Sequence, residues 1–187
     1  MRRHDVISYE IEGATGMERT IDIAVRNATI DDKPILRQLL ELYEYDFSEY
    51  TNADIGPLGY YGYRYLDHYW TDADRHPYII HVNGHIAGFA LVNRHTAVGE
   101  EPAWSMAEFF ILRKYRSKGI GGTAAVEIFN QWPGRWQVTQ LGEHPGSTAF
   151  WRKVIDRYTN GKYEERAAQW GSQTGMAQFF ESQAISS

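Results

Sequence analysis

The run Phe109-Phe110-Ile111-Leu112-Arg113-Lys114-Tyr115-Arg116-Ser117-Lys118-Gly119-Ile120-Gly121-Gly122-Thr123 carries more chemical information than any other part of this chain. An apolar run of the kind that forms a buried strand ends at Leu112. A basic loop follows, holding Arg113, Lys114, Arg116 and Lys118, and a glycine cluster then opens a helical pattern. Helix N-termini present unpaired N–H groups and a partial positive charge. Glycine lets the backbone approach a ligand closely and adopt positive φ. The order strand, basic loop, glycines, helix predicts an anion site suited to a pyrophosphate. A glycine turn with a solvated basic face is the plainer alternative.

Working outward, Trp104 to Leu112 is a strand-length apolar run, and residues 123–132 read as the helix, closed by Pro133-Gly134. Upstream, Asn83-Gly84 between two β-rich runs, 78–82 and 85–93, predicts a type I′ hairpin. Residues 21–26 alternate apolar and charged side chains as a half-buried strand does. Thr29 and Asp32 have capping-box spacing, and Leu36, Leu39, Leu40, Tyr43 and Phe47 recur at helical spacing. Residues 51–77 read as a loop followed by a short helix rich in tyrosine. Downstream, 135–141 reads as a strand, 147–158 as a helix, and 163–168 and 176–181 as strands. The first 20 residues show little periodicity and are set apart as an extension expected to be poorly ordered, with Met17 as an alternative start. The expected fold is one α/β domain over residues 21–187, with a mixed, mostly antiparallel sheet flanked by helices. Strands 104–112 and 135–141 should be its parallel pair and should splay apart.

The composition narrows the function. The 187 residues include no cysteine, which excludes disulfides, cysteine–zinc sites and a cysteine nucleophile. A net charge of −5 does not suit bulk electrostatic binding of nucleic acid and fits a cationic ligand better than an anionic one. No apolar run approaches membrane-spanning length, so a cytoplasmic protein is expected. No metal site is expected either. His81 and His85 flank the Asn83-Gly84 turn and should point to opposite faces.

Two known phosphate-binding patterns bear on the glycine cluster. No P-loop sequence is present. Gly119-Ile120-Gly121-Gly122-Thr123-Ala124 satisfies the dinucleotide pattern, with Glu143 at the distance of a ribose contact, so a dinucleotide-binding enzyme stays open. Against it, the strand ends too far before Gly119.

Arg116-x-x-Gly119-x-Gly121 resembles the Arg/Gln-x-x-Gly-x-Gly/Ala motif of the GCN5-related N-acetyltransferases. Glu108 to Leu112 before it and Thr123 to Phe129 after it agree with that family. So does His144-Pro145-Gly146-Ser147-Thr148-Ala149-Phe150-Trp151-Arg152-Lys153, which resembles the family's Asn-x-x-Ala-x-x-Phe/Leu-Tyr-x-Lys segment. The resemblance implies acetyl-CoA as co-substrate. It implies cofactor contacts at Phe110, Ile111, Leu112, Arg116, Ser117, Lys118, Gly119, Ile120, Gly121, Gly122, Thr123, His144 and Trp151. It also implies an oxyanion-stabilising N–H at the end of the 104–112 strand. Three features depart from the family pattern, one being Val154-Ile155-Asp156 in place of the closing Gly-Phe after the helix. His144 stands for the usual Asn, and Trp151 for the Tyr that often protonates the departing thiolate. Tyr158 is a candidate substitute acid.

Transfer to an amine needs the amine neutral, and removing the proton of a lysine-like ammonium costs about 4–5 kcal/mol at pH 7. Glu108, alone among Met106, Ala107, Phe109, Phe110 and Ile111, is the candidate general base. The alternative is a surface Glu paired with an arginine. In this fold the region after the first helix often lines the acceptor site. Tyr61, Tyr65 and Asp46 are therefore the candidate contacts for a cationic amine, with Tyr61 and Tyr65 on one helical face. The function expected is N-acetylation of a primary amine, small or on a protein, by direct transfer. A non-catalytic acyl-CoA sensor is the second reading. The Trp- and Phe-rich C-terminus could bury a homodimer contact.

Overall fold

Asn83 and Gly84 both take left-handed backbone angles, φ 50° and 75°, and turn β3 (Arg75–Val82) back into β4 (His85–Asn93). This is the type I′ geometry whose twist matches that of the flanking strands. The computed structural model describes residues 6–11, 19–99 and 102–183. Around the hairpin its described strands form one sheet in the order β1-β2-β3-β4-β5-β6-β8-β7. β1 is Val6–Ile11, β2 Arg19–Asn27, β5 Trp104–Ile111, β6 Gly134–Leu141, β7 Tyr163–Trp170 and β8 Gln173–Ser182. Part of the segment set apart as an extension is thus a strand, β1, paired antiparallel along β2. Residues 1–5 and 12–18 of that segment lie outside the described residues.

The entry to α1 (Lys33–Thr51) is fixed by Asp32. Its carboxylate accepts the Thr29 N–H at 2.8 Å, the Thr29 hydroxyl at 3.1 Å, and two Arg26 donors at 2.6 and 2.8 Å. Arg26 holds this carboxyl well below the usual carboxylate range. α1 and a 3-10 turn over Leu66–Trp70 cover one sheet face, burying Leu36, Leu40, Tyr43 and Tyr69 against Ile79, Phe89 and Phe110. α2 (Ile120–Gln131) and α3 (Pro145–Thr159) cover the other face over Tyr78, Ile80, Trp136 and Val138. Residues 61–65 are not helical, so Tyr61 and Tyr65 share no helical face. Among the described residues, no helix is long and apolar enough to cross a membrane.

The sheet divides at the parallel junction. β5 meets β6 only at Trp104↔Trp136 and Ser105↔Gln137. Beyond that, β6 follows β8 along its whole length, while β5 follows β4 through a bulge at Leu91/Val92. Each strand is held on its outer edge, and the twist of the two half-sheets carries them apart. The splay expected between these strands is present, and it opens toward the glycine loop.

Candidate active site

α2 starts earlier than its periodicity suggested, because Gly119 at its N-cap takes φ 77°, a left-handed value that costs other residues energy. The first helical bond runs from the Thr123 N–H to the Gly119 carbonyl at 3.1 Å. The N–H groups of Ile120, Gly121 and Gly122 precede it and have no helical acceptor. Ser117, itself at φ 61°, and Lys118 are exposed beside them. Arg116, although exposed, reaches back to the end of β5. Its Nε donates to the Ile111 carbonyl at 2.7 Å, and its guanidinium pairs with Asp46. Arg113 holds the other Asp46 oxygen at 2.7 Å. Asp46, expected against an amine, therefore ties α1 to the basic loop. Burial works against its charge, but the two arginines hold it below the usual carboxylate range.

The gap between β5 and β6 has an aromatic floor. Phe109 stacks on Phe150 at 5.9 Å. A Cβ added to Gly121 would lie 3.3 Å from the Phe150 ring and 3.4 Å from Ile111, so a side chain here would press the ring aside by a few tenths of an ångström. Along an antiparallel edge, successive residues alternate between the two sides. The Leu112 N–H is used by the Ala87 carbonyl on the β4 side at 2.8 Å. The N–H groups of Phe109 and Ile111 therefore face the gap, and the Leu112 N–H does not. Phe110 points its ring to the α1 side, 5.9 Å from Tyr43.

His144 stands at the mouth of the gap. Its Nδ1 accepts the Ser147 N–H at 3.0 Å, capping α3, and its ring lies 4.2 Å from Tyr50 and 5.6 Å from Phe47. Trp151, expected at the cofactor, is 5% exposed and packs on Phe109 and Phe150 at 5.2 and 4.9 Å. It is a core residue, and its bulk supports the floor from behind. Tyr158 sits at the far end of α3, bonded to Asn130 and Ser182 at 2.9 and 2.8 Å, and is not at the gap.

Glu108 lies on the α1 side of β5, on the strand that borders the gap. Among the described residues, no arginine pairs with it. Its carboxylate accepts the Tyr43 hydroxyl at 2.5 Å and the Tyr63 hydroxyl at 3.0 Å. Burial pushes this carboxyl up to about 7, against the two hydroxyl bonds, with a smaller push from the nearby Glu44 charge. Glu44 is half-buried, and burial, aided by Glu41, also raises its carboxyl. Both Glu41 oxygens are occupied by the Tyr61 and Gly62 N–H groups at 2.7 and 2.8 Å. These bonds lay the tyrosine loop along α1, so Tyr61 contributes backbone there and Tyr63 a hydroxyl. Tyr65 is 45% exposed, its ring near Arg64 and Arg75. Sequence reasoning missed Tyr43, Tyr63 and Glu44. Tyr43 left one signal: a tyrosine on the apolar stripe of a helix needs a buried partner for its hydroxyl.

Among the described residues, the arrangement joins a helix N-terminus with unpaired N–H groups, an open strand edge and a carboxylate near neutrality. The dinucleotide alternative does not fit. A 3-10 turn over Arg113–Tyr115 separates β5 from Gly119, and the described sheet is mostly antiparallel. The model of the acetyltransferase (GNAT) family matches residues 37–154. Among solved structures, an acetyltransferase from Thermus thermophilus is 17% identical with TM-score 0.60, covering 85% of this chain and 96% of that one. An aminoglycoside acetyltransferase, AAC(6')-Ib, in complex with coenzyme A is 16% identical with TM-score 0.61, covering 85% and 94%. Spermidine N-acetyltransferase from Vibrio cholerae, in complex with CoA and spermine, is 9% identical with TM-score 0.59, covering 86% and 95%. Comparison with the curated proteins finds no match.

Proposed function

This chain belongs to the acetyltransferase (GNAT) family, and from that premise we propose that it moves the acetyl group of acetyl-CoA to a primary amine, with Glu108 as general base. The observation that carries the reading is the Glu108 carboxylate, on the strand edge that borders the gap, held by two tyrosine hydroxyls and poised at about 7. A base with that value is half ionised at neutral pH and so is available to take the proton, a transfer that still runs about 4–5 kcal/mol uphill from a lysine-like ammonium and is drawn forward as the freed amine is acylated.

The residues fit the co-substrate. The free N–H groups at the start of α2 suit a pyrophosphate, and Lys118 and Arg113 add positive charge beside them. The gap floored by Phe109, Phe150 and Gly121 suits an extended chain laid along the open edge of β5. Glu108 takes one proton from the ammonium, the freed amine nitrogen bonds to the thioester carbonyl carbon, and the second N–H proton lost as the amide forms goes to the departing sulfur or to solvent. The carbon–sulfur bond then breaks and the electron pair leaves on sulfur. A gap-facing N–H of β5 would bond the carbonyl oxygen as charge develops on it. Glu44 suits a cationic acceptor, since among the described residues no basic side chain pairs with it.

The first experiment is calorimetric titration with acetyl-CoA, with NAD as comparison, followed by CoA release over a panel of amines. Binding of acetyl-CoA alone, amine-dependent release, and a loss of about 100-fold or more in Glu108→Gln are expected. Absence of acetyl-CoA binding overturns the reading. A second reading, a non-catalytic acyl-CoA sensor, is favoured by the core position of Trp151. Tight binding with slow release that no amine accelerates would establish it.

A further inference from the structure

β6 borders the gap opposite β5, and from Val138 onward no described strand pairs with it on that side. Trp136, Val138 and Gln140 alternate onto the face that α3 covers, the face that also carries the Phe109 and Phe150 floor. Under α3 a polar chain crosses from β6 through β8 to β7. Gln140 Nε2 donates to Gln178 Oε1 at 3.2 Å, and Gln178 Nε2 donates to Glu165 Oε2 at 2.7 Å. Arg152 of α3 closes the chain, its Nε 2.9 Å from both Glu165 oxygens and its Nη2 2.6 Å from Oε1. Gln140 is 3% and Gln178 0% exposed. Among the described residues, no donor reaches Gln140 Oε1, which is itself shut off from solvent.

Glu165 dictates which way both amides point. Arg152 holds its carboxyl below the usual carboxylate range, so it is ionised and only accepts. Gln178 must therefore turn its NH2 to Glu165 and its oxygen to Gln140, and Gln140 must present its own NH2 to that oxygen. Turning Gln140 over would set two oxygens against each other, so its amide cannot find relief by rotating. The nitrogen branch of Gln140 is spent on β8, and the oxygen branch points away from β8. β8 lies on one side of β6 and the gap on the other. A buried acceptor held without a donor is costly and calls for a partner. We propose that Gln140 Oε1 is a binding acceptor for the co-substrate and takes an amide N–H of the pantetheine arm of acetyl-CoA in the gap. Gln178, Glu165 and Arg152 are positioning residues that keep this oxygen turned toward it. The open edge of β5 and the Gln140 oxygen then grip the arm from opposite walls.

This inference rests on acetyl-CoA being the co-substrate. The test is calorimetric titration with acetyl-CoA and, as a probe without the arm, adenosine 3′,5′-bisphosphate measured by displacement, each variant being shown to fold by a thermal melt. Gln140→Met keeps the length of the side chain and removes the acceptor. Its affinity for acetyl-CoA should fall about five- to tenfold, with affinity for the bisphosphate unchanged. Gln178→Met frees the Gln140 amide to turn and should give a smaller fall with the same selectivity, so either folded variant decides the matter. Unchanged acetyl-CoA affinity overturns the inference, and so does equal weakening of both ligands. Absence of acetyl-CoA binding by the unaltered protein overturns the reading beneath it instead.

Discussion

The Tyr43 hydroxyl lies 2.5 Å from Glu108 Oε2, joining the buried face of α1 to the strand that borders the gap. Through this bond one helix sets both the position and the basicity of the carboxylate. Tyr43→Phe removes a donor to the ionised form. The acidic limb of kcat/KM should move from about 7 to higher pH by roughly half a unit, with little change in acetyl-CoA affinity. The pH–rate profile of the variant checks this.

Glu44 acts in the opposite direction. Its charge raises the Glu108 carboxyl, so Glu44→Gln should move the same acidic limb to lower pH. If Glu44 also meets the acceptor, the KM of a dicationic amine should rise about tenfold, with kcat nearly unchanged. Steady-state kinetics with a diamine and a monoamine of matched length separate the two effects.

Glu108 should also cost the protein stability at alkaline pH. Below its ordinary value of 4.5, folded and unfolded chains both hold the proton. Between 4.5 and about 7 the unfolded chain releases it and the folded chain keeps it, so stability falls as pH rises through that window and then levels. The gap between the two values corresponds to roughly 3 kcal/mol. Glu108→Gln should therefore be inactive yet more stable at pH 8, with little change at pH 4, as read by urea unfolding at both pH values.

Gly121 faces the Phe150 ring at 3.3 Å from where a Cβ would stand. Gly121→Leu should fill the floor of the gap and lower acetyl-CoA affinity at least about 100-fold. Because Phe150 is only partly buried, the variant should still fold. Calorimetry with acetyl-CoA, together with a thermal melt, decides the matter.

Much of this was legible along the chain because it depends on neighbours in sequence. The Asn83-Gly84 turn, the apolar stripe of α1 and the strand-loop-glycine-helix order around Gly119 are set by local backbone preference and periodicity. Glu108 stood out as a lone carboxylate in an apolar strand. The partners of that carboxylate were not legible. Tyr43 and Tyr63 are 65 and 45 residues away from it in sequence; the apolar stripe of α1 signals only that Tyr43 needs some buried partner, and nothing local distinguishes Tyr63 from Tyr61 or Tyr65. Asp46 likewise has the look of an amine contact until the fold brings Arg113 and Arg116 to it. Trp151 stands where the family resemblance implies a cofactor contact, but its placement in the core depends on how α3 rotates against Phe109. The sequence by itself determined the strands from β2 onward, the helices and the basic glycine loop that opens α2, since short-range sterics and hydrogen bonding decide them. Only the tertiary structure decided which side chains surround Glu108, because burial and long-range contact, which set its proton affinity, exist only once the chain has folded.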